Sequence, residues 1–325
     1  MTLSRRRFLK ALGGLAVARL LPVAAQDWDH ETPEVTQMRQ HLETFIGDFN
    51  MSLDFRGIDA DQNELFRIQI NAANLQPVAS CFKAFVLPYY FLHTPRDEWA
   101  FAENSLIYSM AVHSNNRATG LVLDEVGKRV RGNDNAIVKF NNFLQSLGIQ
   151  NGLHSWNWEG SPTEGMADPR FAPSLLTGRV VQVHGESFTV DNVFTAEDLA
   201  RGHDFITRGE FFTRSEQVRE VVRLTKTVLS IPSATTGYQS PLERAFPPGY
   251  TGKDGILPAS DVSTGRVVND AGALRVGDRT YIVSFMSAGE SESVALDVLD
   301  AVVSQIGVFE QSHDGVSLEV LFNGA

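Results

Sequence analysis

The chain has 325 residues, a formal net charge of −11, 43% hydrophobic residues and one cysteine, Cys81. A single cysteine excludes an internal disulfide, so a packed core must supply the stability. The acidic balance argues against nucleic acid and anionic membrane surfaces as partners.

The chain opens on Ser4-Arg5-Arg6-Arg7-Phe8-Leu9-Lys10, and an apolar run from Ala11 to Ala25 closes on Val23-Ala24-Ala25. A basic start, an apolar middle and small residues at the end follow the order of an export signal. The paired arginines ahead of Phe-Leu-Lys look like a twin-arginine signal, which carries proteins across already folded. The expectation is a twin-arginine-type signal peptide over residues 1–25, a single catalytic domain over 26–325, and a periplasmic or secreted protein. Arg19, two adjacent glycines and the shortness of the run argue against a membrane anchor. Its removal takes away five basic residues and no acid, which leaves the mature chain near −16. No later segment approaches ~18 uninterrupted apolar residues, so no membrane span is expected in the mature chain.

Thr32 to Phe49 reads as an amphipathic helix, with Thr32 as N-cap and Pro33 in the first helical position. Leu53 and Phe55 alternate with Asp54 and Arg56. After the polar turn Asp59–Asn63, Phe66, Ile68 and Ile70 alternate with Arg67 and Gln69, which predicts a strand hairpin. From about residue 80 to 230 the pattern is mainly helical. Ile137, Phe140, Phe143, Leu144 and Leu147 mark one stripe; Val218, Val221, Val222, Thr225 and Leu229 mark another. A loop-rich stretch from Gln150 to Phe188 interrupts them, with a short strand possible at Arg179–Val183. Strands return around Tyr250–Ile256, Gly265–Leu274 and Thr280–Met286, and a last helix carries Leu296, Leu299, Val303 and Ile306. This order predicts an α/β (α+β) fold: an antiparallel sheet built from both chain ends, flanked by helices, with an all-helical subdomain. The cleft between sheet and helices is the natural ligand site.

There are 22 arginines and only 6 lysines. A group that must lose its proton is one reason to keep a lysine where arginine is favoured, because arginine cannot lose one. Ser80-Cys81-Phe82-Lys83 is the only Ser-x-x-Lys in the chain. At the start of a helix, residues three apart share a face, so hydroxyl and amine are neighbours. A serine hydroxyl needs a base to become a nucleophile. Burial, a nearby positive charge and the helix dipole lower a lysine's pKa and leave the amine free to act as that base. Ser114-Asn115-Asn116 lies on the turn into a helix over Arg117–Gly127; it supplies a hydroxyl for proton relay and an amide, and is equally an ordinary helix cap. Lys253-Asp254-Gly255 sits on a strand expected to be central to the sheet, with a cation for the site and a glycine that lets a substrate backbone lie close; it is also a common turn sequence.

In this order and on these elements, the three motifs resemble the Ser-x-x-Lys, Ser-x-Asn and Lys-[Ser/Thr]-Gly set of class A β-lactamases and penicillin-binding proteins. Asn133–Leu147, the loop with Trp156-Asn157-Trp158-Glu159, Thr195–Leu199 and the strands after Gly255 extend the likeness over nearly all of 32–310. The resemblance implies an exported serine hydrolase acting through an acyl-enzyme, with a β-lactam or cell-wall peptide as substrate. Ser80 would be the nucleophile, Lys83 its base, Ser114 the proton shuttle and Glu159 the water-activating base. Asn116, Lys253, Gly255 and Arg266 would bind substrate. The oxyanion hole would come from the Ser80 N–H and a residue on the strand after Gly255. A D-Ala-D-Ala carboxypeptidase-like enzyme and a non-catalytic sensing domain on the same fold are the alternatives.

The sequence departs from the family at Asn115, where Asp is usual, and at Asp254, where a Ser or Thr hydroxyl helps bind the substrate carboxylate. The interval from Ser80 to Ser114 is short, and Thr163 stands where an Asn follows the catalytic Glu. A carboxylate facing a carboxylate is repelled, which argues against ordinary penicillin recognition. Glu159 also reads as a surface-loop acid, Arg266 as an exposed strand arginine, and Cys81 as a small core residue. Trp156 and Trp158 fit either a cleft wall or the core. No histidine pattern suits a metal and no glycine-rich loop suits a nucleotide, so no metal or cofactor is expected.

Overall fold

The computed structural model describes residues 32–99, 101–156, 160–171, 180–183, 186–189, 192–232, 241–245, 249–257 and 266–314. The expected signal peptide, Glu159 and Trp158 lie outside these residues.

Helix α1 (Pro33–Ile46) begins where the Thr32 side chain accepts from the Val35 N–H, and it buries Val35, Met38, Leu42 and Ile46 along one stripe. β1 (Met51–Ile58) and β2 (Glu64–Ile70) form the expected hairpin, with Phe55 opposite Ile68. The chain returns to this sheet only after the helical half, through β7 (Tyr250–Leu257), β8 (Val267–Val276) and β9 (Arg279–Ser287). The five strands stand in the order β2-β1-β9-β8-β7, antiparallel throughout, which puts β7, the strand of Lys253-Asp254-Gly255, at an edge and not at the centre expected from the sequence, because it pairs with β8 alone. On one face, Leu53, Phe55, Val283 and Phe285 pack with α1 and with the last helix, α9 (Glu292–Asp314).

The other face is polar near β1 and still buried. Asp54 accepts from Arg56 Nε at 2.7 Å, Arg67 Nη2 at 2.6 Å and Gln69 Nε2 at 3.0 Å. Alternation alone suggests a solvated face here. Instead α6 (Ala196–Phe212) packs against β1, β8 and β9, and the charges are covered in mutually neutralised form. The entry to α6 is locked by a capping box between Thr195 and Asp198.

The helical half surrounds α2 (Lys83–His93). Phe85, Val86, Leu87, Tyr89 and Phe91 are all buried, the mark of a helix covered all round. Around it lie α3 (Leu106–Ala111), α4 (Asn116–Arg129), α5 (Ala136–Ser146) and α7 (Glu216–Leu229). Both apolar stripes read from the sequence face this core, through Ile137, Phe140 and Leu144 and through Val221, Val222 and Leu229. A short α8 (Pro241–Ala245) precedes β7. The two-residue strands β3 (Gln76–Pro77) and β6 (Val193–Phe194) pair with each other, as do β4 (Val180–Val183) and β5 (Glu186–Thr189). β4 matches the short strand expected at the end of the loop-rich stretch. Among the described residues no helix is long and apolar enough to cross a membrane.

Candidate active site

Strand β3 delivers the chain to the nucleophile turn. Asn269 on β8 anchors it by donating from Nδ2 to the Pro77 carbonyl at 2.7 Å. Ala79 then takes φ 50, a left-handed conformation that costs a non-glycine residue about 1–3 kcal/mol. Residues 80–85 wind through three-residue hydrogen bonds, Lys83 N–H to Ser80 O at 3.0 Å and Phe85 N–H to Phe82 O at 2.9 Å. Ser80 therefore sits on the tight turn leading into α2, and the α-helix proper starts at Lys83.

Lys83 is 1% exposed. Its Nζ donates to the Ser114 carbonyl at 2.6 Å and to Asn116 Oδ1 at 2.6 Å, and lies 3.1 Å from Ser114 Oγ. Burial pushes its pKa well below the ordinary lysine value, and the neighbouring Lys253 charge pushes the same way. The geometry suits a neutral amine. Its two N–H groups go to the two pure acceptors, and its lone pair is left for the Ser114 hydroxyl. The Ser80 hydroxyl makes no hydrogen bond to Lys83 here. The spacing makes the two side chains neighbours, but the amine is drawn to the Ser114–Asn116 turn.

Within Ser114-Asn115-Asn116 the cap and the contacts to Lys83 fall on different residues. Asn115 caps α4, its side chain accepting from the Ala118 N–H at 2.8 Å. With the cap assigned to the middle residue, Ser114 and Asn116 are free to face Lys83. Ser114 has φ 53, the second left-handed non-glycine residue at the site. The departure from Asp at this position thus keeps a good capping side chain.

The sequence leaves Trp156 open between cleft wall and core, and the structure sets it against Lys83. Its ring centroid lies 5.6 Å from Lys83 Nζ, its indole N–H donates to the Asn116 carbonyl at 3.0 Å, and its ring meets Phe82 edge-on at 4.8 Å. Thr163, in the loop where the family has an amide, donates to the Trp156 carbonyl at 2.8 Å and holds that loop down. Cys81 is fully buried in the core beside α2, and burial pushes its thiol pKa up, which makes it a packing residue.

On the sheet side, Gly255 has a steric reason to be glycine. An added Cβ would stand 2.8 Å from the Ser80 N and 3.0 Å from the Cys81 N, so the edge of β7 lies directly against the nucleophile turn. The Ser80 amide has no hydrogen-bond partner among the described residues. Lys253 is buried, and its Nζ donates to Asp254 Oδ1 at 2.7 Å and to the Asp254 carbonyl at 3.2 Å. Asp254 stands opposite Asp270 on β8, and the Tyr250 hydroxyl donates to Asp270. Arg266 is paired with Glu292 at the start of α9. Of the expected residues, Lys83, Ser114 and Asn116 are thus in direct contact, and Gly255 packs on Ser80. Lys253 is bound by its own neighbour, Arg266 is engaged elsewhere, and Glu159 lies outside the described residues. Among the described residues no cluster of side chains is arranged to hold a metal.

The fold is that of the class A β-lactamases. It matches the β-lactamase of Sphaerobacter thermophilus with a TM-score of 0.56 at 14% identity, over 86% of this chain and 98% of that one. It matches a class A β-lactamase representative of Bacteroides cellulosilyticus with a TM-score of 0.55 at 14% identity, over 85% and 99%. For the TLA-3 extended-spectrum β-lactamase the TM-score is 0.55 at 13% identity, over 83% and 98%. No family model and no curated protein matches the sequence.

Proposed function

We propose that this chain is an exported serine hydrolase that forms an acyl-enzyme on Ser80 with Lys83 as the base. The observation that carries the reading is Lys83: buried, depressed in pKa, and bonded to Ser114 and Asn116. A base of that kind is of little use to a sensing domain, whose lysine need not be sealed from water.

In the reaction, Ser80 Oγ attacks the acyl carbonyl and passes its proton to the Lys83 amine. Ser114, within reach of that amine, relays the proton to the leaving group. The Ser80 N–H, together with an N–H on the edge of β7 beyond Gly255, receives the developing oxyanion. Glu159 remains the candidate for activating the deacylating water. β-Lactams and acyl compounds related to cell-wall peptides are the substrates to try first. Residues 1–25 would direct export by the twin-arginine route.

A fluorescent fluorophosphonate with adduct mapping by mass spectrometry tests the assignment. The adduct is expected on Ser80 and absent from Ser80→Ala. A label that survives Ser80→Ala would falsify the nucleophile.

A further inference from the structure

The Lys253–Asp254 pair spends only part of its hydrogen-bonding capacity. An ammonium has three N–H groups, and two go to Asp254, on Oδ1 and on the main-chain oxygen. Asp254 Oδ2 has no hydrogen-bond partner among the described residues. One donor and one acceptor are therefore left side by side, one residue from the point where Gly255 touches the Ser80 amide. The pair carries no net charge. The other cation expected to meet an anionic substrate, Arg266, is neutralised by Glu292. A carboxylate placed at this edge would meet no unpaired positive charge from either residue and would face the open oxygen of Asp254.

A primary carboxamide has the shape of a carboxylate, no charge, and one donor and one acceptor face. We propose that this site selects acyl substrates whose leaving-group side ends in a carboxamide rather than a carboxylate. The amide N–H is accepted by Asp254 Oδ2 and the amide oxygen takes the remaining N–H of Lys253. The inference rests on the serine acyl-transfer reading above and names its substrate class. The chemistry is unchanged by it. The Ser80 Oγ–carbon bond forms as the bond to the leaving group breaks. The serine proton passes through Lys83 and Ser114 to the leaving atom, and water then releases the acid and restores Ser80.

Two thioesters with the same benzoylglycyl acyl group form the test, one of mercaptoacetamide and one of mercaptoacetic acid. They give the same acyl-enzyme and differ only in the group offered to the pair, and thiol release is the readout. The full-length protein without its signal is expected to favour the carboxamide at least tenfold in kcat/KM, and Asp254→Thr to reverse the order. Equal rates, or a preference for the carboxylate in the unsubstituted protein, overturn the inference whether or not the variant folds. If neither thioester turns over, benzoylglycinamide and benzoylglycine are compared as protectants of Ser80 against the fluorophosphonate. Better protection by the acid, or protection by neither, also overturns it. The fluorophosphonate carries no carboxylate. Failure to label Ser80 therefore strikes the serine reading itself, while labelling combined with a carboxylate preference strikes only the carboxamide inference.

Discussion

In the proposed mechanism Lys83 concentrates the chemistry of the site in one side chain. Its amine must be neutral to accept the Ser80 proton, and burial makes neutrality available below the usual lysine range. Acylation should therefore persist to pH values below the usual lysine range and fall at lower pH as the amine is protonated, measured as the rate of fluorophosphonate labelling against pH. Lys83→Arg puts a permanent cation where the base must hold a free lone pair, and should lower that rate at least 100-fold. Trp156 is the positioning residue for this effect. Its ring attracts the charged form, but it also keeps water from the amine, and desolvation is the larger influence. Trp156→Ala should move the acid limb of the labelling profile to higher pH, because a hydrated amine holds its proton longer. Trp156→Phe should restore most of the shift; an unmoved limb in Trp156→Ala would reduce Trp156 to core packing. Folding linkage follows the same sign. Between the depressed pKa and 10.5 the unfolded chain holds a proton that the folded chain lacks, so Lys83 contributes stability that grows as pH rises through that window.

At the scale of elements, α6 makes its own prediction. His203 is fully buried against the Phe85 ring, neither ring nitrogen has a partner, and burial lowers its pKa to about 3. The neutral ring is favoured in the folded state, so its contribution is intact above the ordinary histidine pKa and is lost as pH falls from 6.5 toward 3. His203→Leu should flatten the acid limb of stability, read as Tm against pH, and leave labelling of Ser80 unchanged. Gly255→Ala tests the contact between β7 and the nucleophile turn. Its Cβ would meet main-chain nitrogens, which cannot swing aside, so labelling should drop at least tenfold while stability falls by about 1–3 kcal/mol. The elements themselves were largely legible in the sequence. The Thr32-Pro33 cap, the alternation through Phe55 and Ile68, and the stripe Ile137–Leu144 each state a local preference that packing then satisfies. What periodicity does not carry is which distant strands pair, such as β1 with β9; the order of the elements gave only a sheet built from both chain ends. Within the site, Lys83 is visible by spacing, whereas its contacts with Ser114 and Asn116 span more than thirty residues and follow only from the motif order. The Lys253–Asp254 contact follows from opposite charge and runs against strand alternation. Neighbours on a strand point to opposite faces, and only a lysine long enough to turn back can meet the residue beside it.

Across the whole molecule, the first and last described segments close one sheet, while the helical half is inserted between β2 and β7. The site lies where the two halves meet, so each supplies what the other lacks: the helical half a buried amine, the sheet an edge strand. Asp54 links them less visibly, by neutralising Arg56 and Arg67 beneath α6. Asp54→Ala would leave Arg56, 6% exposed, with its main partner gone, and should cost about 3–5 kcal/mol in denaturant unfolding. Cys81 gives this architecture a gauge of its own motion. It is the only thiol in the chain, it directly follows the nucleophile, and it has no accessible surface. A maleimide can reach it only during excursions in which the wall between helices and sheet comes apart, so the rate of alkylation counts those excursions. An acyl group on Ser80 ties the two halves together at that wall. Alkylation should therefore slow in the acylated protein, and the ratio of the two rates gives the free energy by which a bound acyl group holds the molecule shut.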